Sequence, residues 1–325
     1  MHQRNETLDL LRGLGIIIMV FTHALAYYLK DKFVFFLWDW SHFVVVTFVF
    51  VSAYLFFKKN EGVTGNFFTY FKKRILRLLV PYYIFLAFMF GSFLIFEPKN
   101  ISLPFIWQNL TLTGGIDLNW LTILFIYFTF INPLLLFLWQ KRTCFFVYAA
   151  AALAAGIVFL FYYPNAQYKL VMWLPWSLIA IFAFYFVKNE DKKYFFILTA
   201  VVSLLTFINL YVFLQGQKHT VVLQYNKYPP NIYYLSYGIT CLTVLYYVFS
   251  KITIWEPVKK FIFFYSQYSY EIFFSHWWVL YIISKIFPYW NWHWAQFTTV
   301  VFFTSLVTQL LLNQIIALLH QKKTI

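Results

Sequence analysis

Apolar stretches of about 20 residues recur from one end of the chain to the other, each bounded by short runs of Lys, Arg, Asp, Asn, Pro or Gly. That length is the one a helix needs to cross a bilayer. Ten helices are expected, over about 8–29, 38–57, 78–96, 119–139, 143–163, 170–187, 194–214, 233–250, 268–287 and 295–318, to within about 2–4 residues at each end. The expected fold class is all-α: a polytopic membrane protein whose residues 1–325 form a single transmembrane domain. Two connecting segments, 97–117 and 215–231, are longer than the others and have the length of lids or binding loops. The segment FFTYFKKRILR at 67–77 reads as a short amphipathic helix along the interface or as a plain membrane anchor.

The first stretch, LDLLRGLGIIIMVFTHALAYYL at 8–29, breaks its own apolar pattern with Arg12 and His23. Eleven residues on an α-helix advance about 1100°, roughly 20° past three turns, so the two share one face about 16 Å apart. A central arginine costs roughly 2.5–3.5 kcal/mol on insertion scales, and intramembrane ionisable residues as a rule face a protein interior or a wet cavity. Arg12 and His23 are expected to share such a cavity. Asp9, one turn before Arg12, is a partner for it, although a plain salt bridge at the helix end explains that pair equally well. The length of the stretch, the acidic residues ahead of it and the lack of a small-x-small cleavage pattern mark a retained helix, not a signal peptide.

Composition narrows the class. The chain is 62% hydrophobic, 25% aromatic and only 11% charged, which excludes an ordinary soluble domain. Its formal net charge of +14 does not point to nucleic acid, because no soluble module gathers the basic residues on one surface. Topology explains the charge better. With ten crossings and both termini cytoplasmic, 18 of the 25 Lys and Arg residues fall in inside segments, so the positive-inside rule predicts an N-in, C-in protein of the cell membrane, in contact with lipid along its length. Cys144 and Cys241 stand alone in apolar surroundings with no metal-type spacing, and no metal site is expected.

Few residues are left to carry chemistry. Of seven histidines only His23 and His276 lie well inside predicted helices, His42 standing near the outer end of its span, and a lone histidine there is commonly a hydrogen-bonded packing residue. A neutral imidazole in a dry cavity is also a competent general base for a hydroxyl. Arg74 and Arg77 form an RxxR pair beside Lys72 and Lys73, which suits either anionic lipid headgroups or, together with Arg12, the phosphates of a nucleotide-like donor. Glu271, five residues before His276, is a candidate for orienting a histidine or binding sugar hydroxyls, with Lys259 or Lys260 as an alternative partner. Tyr268, Tyr270, Trp277 and Trp278 suit stacking on sugar rings, and core or interface packing no less.

These residues fall into a recognisable order. Arg12, ten intervening residues and His23 resemble the R-X10-H motif of the membrane acyltransferase 3 family. WSHFVVVTFVFVSAYLF at 40–56, KKRILRLLVPYY at 72–83 and YSQYSYEIFFSHWWV at 265–279 resemble its later blocks, and Trp120 loosely matches another. Ala53 stands where the family usually has Gly, and Phe273 where it usually has Tyr. The resemblance implies a ten-helix enzyme that moves an acyl group, commonly acetyl, from cytosolic acyl-CoA as co-substrate to a hydroxyl of an extracytoplasmic glycan or other cell-envelope acceptor. It implies His23 as the catalytic histidine and Arg12, Arg74 and Arg77 as acyl-CoA contacts, with no permanently bound cofactor; His276, which the late block places, stands with Glu271 and Asp9 as a candidate acceptor-side or supporting residue. The alternative reading is a non-enzymatic exporter or flippase for a glycan or lipid-linked precursor, which would need no base at His23.

Overall fold

The computed structural model describes residues 5–60, 67–164 and 168–321. Among them the regular elements are helices: α1 (Glu6–Leu25), α2 (Lys32–Trp40), α3 (Phe43–Lys59), α4 (Phe67–Phe96), α5 (Leu103–Leu110), α6 (Asn119–Gln140), α7 (Arg142–Val158), α8 (Tyr168–Val171), α9 (Trp173–Lys188), α10 (Lys193–Gly216), α11 (Ile232–Phe249), α12 (Glu256–Gln267), α13 (Ser269–Ile286) and α14 (Trp294–Gln321). The protein is all-α and polytopic. Eight spans among the described residues are long and apolar enough to cross a membrane. The other two expected stretches correspond to α7, which at 17 residues is shorter, and α13, whose apolar run is interrupted by Glu271, His276 and Lys285.

Local chemistry moves several boundaries. The second expected span, 38–57, is preceded by a separate helix, α2. Asp31 caps it, its carboxylate accepting from the Phe33 and Val34 amides at 2.8 and 3.2 Å, and Ser41 closes it by donating to the Trp38 carbonyl at 2.7 Å. The FFTYFKKRILR segment is not a separate interfacial helix. It is the first third of the 30-residue α4, which runs on through Pro81; buried neighbours and local adjustment make proline tolerable within membrane helices. The long segment 97–117 contains α5, capped by the Ser102 hydroxyl accepting from the Phe105 amide at 3.3 Å. Its return depends on Gly115 at φ +83°, where an added Cβ would stand 2.0 Å from Asn109 Nδ2.

Residues group into two compact units, each assembled from separated stretches of chain. The first holds Met1–Leu11, His42–Leu79 and Ile116–Thr253. Its core is aromatic: Phe50 packs on Phe186 at 4.9 Å between ring centres, Phe186 on Tyr246 at 4.8 Å, and Trp139 on Phe184 at 4.8 Å. α3 and α11 meet at Gly238, where a Cβ would lie 2.3 Å from Val46 Cγ2. Tyr54 and Lys58 both bind Glu190, Lys58 at 2.7 Å. One face of α10, with Ile197, Leu198, Val201, Val202, Leu205 and Val212 exposed, is the lipid-facing surface a membrane helix presents.

The second unit holds Arg12–Ser41, Val80–Gly115 and Ile254–Ile325. Its helix directions can be read from paired residues. Phe85 packs on Phe274, Ser92 accepts from Trp278 Nε1 at 2.8 Å, Phe93 packs on Tyr281, and Glu97 binds Lys285. The partners advance together, so the second half of α4 and α13 run parallel. α1 also runs parallel to α13, since His23 meets His276 and the following Tyr28 donates to the Tyr289 carbonyl at 2.8 Å. α14 runs opposite to α1, with Phe21 stacked on Phe302 and Tyr27 against Phe297.

Candidate active site

α1 begins where Asn5 accepts from the Leu8 amide at 3.2 Å, and it carries Asp9, Arg12 and His23. Asp9 is buried at 8% exposure, whereas Arg12 and His23 are half-buried. The small residue after Arg12 is what brings α12 close. A Cβ on Gly13 would stand 2.1 Å from the Ile262 carbonyl oxygen, so the backbones of α1 and α12 touch there. The consequence is direct: Arg12 Nε donates to Ser266 Oγ at 2.9 Å, and Ser266 has no exposed surface. Ser266 lies within the late block of 265–279, and a serine 254 positions from Arg12 carries no mark in the sequence of its partner.

At the other end of α1, His23 Nδ1 lies 2.8 Å from His276 Nε2. The two imidazoles differ by 4° in plane and their centres are 5.1 Å apart, a separation that places them edge to edge in a common plane instead of face over face. His276 is fully buried, and its Nδ1 lies 2.7 Å from the Ile272 carbonyl one turn back on α13. Trp277 leans on His23 with ring centres 4.9 Å apart and a 54° tilt, and its buried Nε1 has no hydrogen-bond partner among the described residues. Phe273, in the position usually held by Tyr, is buried with its ring centre 6.0 Å from that of His276.

A family model described as an acyltransferase domain matches residues 5–313. The chain belongs to the acyltransferase 3 family. No curated protein and no solved structure matches it. This acyltransferase therefore has its R-X10-H histidine in hydrogen-bond contact with the histidine of its late block, both within the second unit.

The remaining expected site residues are placed less uniformly. Arg74, half-buried in the first unit, donates through Nη2 to Ser52, while Arg77 is exposed. The RxxR pair thus has one guanidinium held by the protein and one open to its surroundings. Glu271 sits exposed in the first turn of α13, and it is the Ile272 carbonyl that receives the His276 ring. Trp278, offered by sequence as a stacking residue, spends its indole N–H on Ser92 and its ring on Phe88, which makes it part of the α4–α13 seam.

Proposed function

We propose that this acyltransferase moves an acyl group, acetyl in the simplest case, from cytosolic acyl-CoA to a hydroxyl of an extracytoplasmic glycan or related cell-envelope acceptor, with His23 as general base. The observation that carries this reading is the contact between His23 and a second, fully buried histidine, in a chain of an acyl-transfer family. A histidine that served packing alone would have no need of a second imidazole in its own plane, whereas a base is improved by any group that fixes its ring.

In this reading the acceptor hydroxyl gives its proton to His23 as its oxygen bonds the thioester carbon. The C–S bond then breaks, and the CoA sulfur takes the proton back from His23, so the enzyme returns unchanged. His23 lies in the last turn of α1, where the helix dipole favours the positive charge that the ring carries between the two transfers. Arg12, Arg74 and Arg77 are proposed as contacts for acyl-CoA phosphates on the chemistry of the guanidinium group, which pairs with phosphate in two parallel hydrogen bonds.

The test supplies isolated membranes with labelled acetyl-CoA and compares wild type with His23→Ala. Label transfer and CoA release are expected to fall by about 10²–10⁴-fold, the range that a positioned acid–base group contributes. Unchanged release would rule out His23 as the base. Mass spectrometry of surface glycans from cells with and without the protein should show the ester-linked acyl group only in the former; its presence in both removes the proposed acceptor class.

A further inference from the structure

The geometry points to a division of labour between the two histidines: we propose that His276 is a positioning residue that holds His23 in its Nδ1–H tautomer, so that His23 Nε2 is the nitrogen that takes the acceptor's proton. This rests on the reading of His23 as base and specifies which atom acts.

The argument starts from a carbonyl. Ile272 O accepts hydrogen bonds and cannot donate one, so the 2.7 Å contact requires a proton on His276 Nδ1. The His276 ring has no exposed surface, and charging it there would cost the full desolvation of an ion, so the ring is neutral and its other nitrogen, Nε2, carries a lone pair. That nitrogen is the one 2.8 Å from His23 Nδ1. Two bare nitrogens at that distance would repel, and the contact is a hydrogen bond only when His23 Nδ1 holds a proton. A neutral His23 with its proton on Nδ1 has its lone pair on Nε2. The common plane of the two rings puts donor and acceptor in line, where the bond is strongest.

The chain of consequence therefore runs from the Ile272 carbonyl through His276 to His23, and it needs no carboxylate. When His23 accepts a proton on Nε2, its Nδ1–H bond to His276 becomes charge-assisted and strengthens. A buried neutral imidazole thus steadies the imidazolium without itself changing protonation state. Trp277, tilted against His23, limits rotation of the ring about its Cβ bond. Unprotected by such contacts, a neutral histidine would divide itself between two tautomers, and only one of them has a base on Nε2.

Two independent measurements test this. In protein carrying 15N-histidine, reconstituted in nanodiscs, neutral His23 is expected to show a protonated Nδ1 and a bare Nε2; His276→Phe, which removes the acceptor, should shift His23 toward the Nε2–H form. A bare Nδ1 on wild-type His23 overturns the proposal. In membranes given labelled acetyl-CoA with their native acceptors, His276→Phe is expected to lower kcat by on the order of 10²–10⁴-fold with the KM for acetyl-CoA unchanged. His276→Gln, whose amide oxygen can occupy the place of Nε2 and accept from His23, should recover turnover to within about tenfold of wild type. Equal loss in the Phe and Gln variants, or no loss in either, also overturns it. If His276→Phe does not fold, the wild-type spectrum and the Gln variant still decide. Full turnover in His23→Ala would reject the base reading on separate grounds, since the spectrum reports the tautomer whether or not the ring is catalytic.

Discussion

At the scale of single residues, the site depends on side chains small enough, or oriented enough, to let α1 meet its neighbours. Gly13 is the clearest case. Its Cβ position lies 2.1 Å from a backbone oxygen of α12, an atom that cannot swing aside as a flexible side chain would. Gly13→Ala is expected to push α1 from α12 and destabilise the protein by about 1–3 kcal/mol, the usual cost of overpacking; a fall in the thermal unfolding midpoint in detergent measures it. An unchanged midpoint would mean that the helices separate freely. Arg12 illustrates orientation. Its Nε donates to Ser266, and in the proposed reading the guanidinium fork is what recognises phosphate. Arg12→Lys keeps the charge but loses the fork, and the KM for acetyl-CoA should rise by roughly tenfold or more, the equivalent of one lost charge-assisted hydrogen bond. A KM equal to wild type would remove Arg12 from the donor contacts.

Among elements, the parallel pairing of the second half of α4 with α13 fixes the height of the helix that carries His276. Aromatic contacts make most of that seam, and at its end the Lys285 ammonium hydrogen-bonds Glu97, with Tyr281 and Asn100 also donating to the carboxylate. These donors hold the Glu97 carboxyl below its ordinary range. A carboxylate whose folded-state pKa is depressed contributes stability above the ordinary carboxylate range and loses it as pH falls through the lowered value. Glu97→Gln should therefore destabilise at neutral pH by less than about 1 kcal/mol, the scale of a partly exposed pair. Thermal unfolding midpoints of wild type and variant should converge as the pH is lowered through the carboxylate range. Midpoints that stay equally far apart at every pH would show that the pair's charge is not what stabilises the seam.

For the whole molecule, sidedness is the property that the proposed chemistry demands, because that proposal takes its donor from the cytosol and its acceptor from the other side. The excess of Lys and Arg in one set of connecting segments is what would turn the chain so that Arg12 faces the cytosol. Sealed inside-out vesicles supplied externally with labelled acetyl-CoA should release CoA, whereas right-side-out vesicles should do so only after they are opened. Equal rates in the two would contradict a donor site reached from the cytosol. Much of the aromatic content of the chain goes into ring-on-ring packing inside each unit, as Phe50, Phe186 and Tyr246 show. Trp277 differs in setting, its ring lying against His23.

Sequence by itself determined the helical class, the positions of the long apolar stretches and the short set of ionisable residues worth attention, because each of these is written in local hydropathy or in spacing along one helix; the family was legible in the resemblance of several ordered blocks along the chain. Arg12 and His23 were legible for that reason. The break between α2 and α3, the continuity of α4 through Pro81 and the helix within 97–117 were not, since capping hydroxyls and packed neighbours outweigh the hydropathy of a window. The partners of the site were hidden altogether. That His276 would meet His23 across 253 positions, that Ser266 would take Arg12 Nε, and that a carbonyl and not Glu271 would receive His276 are outcomes of helix packing. Hydrogen bonds of that kind depend on tenths of an ångström between helices far apart in the chain, and tertiary structure alone sets those distances.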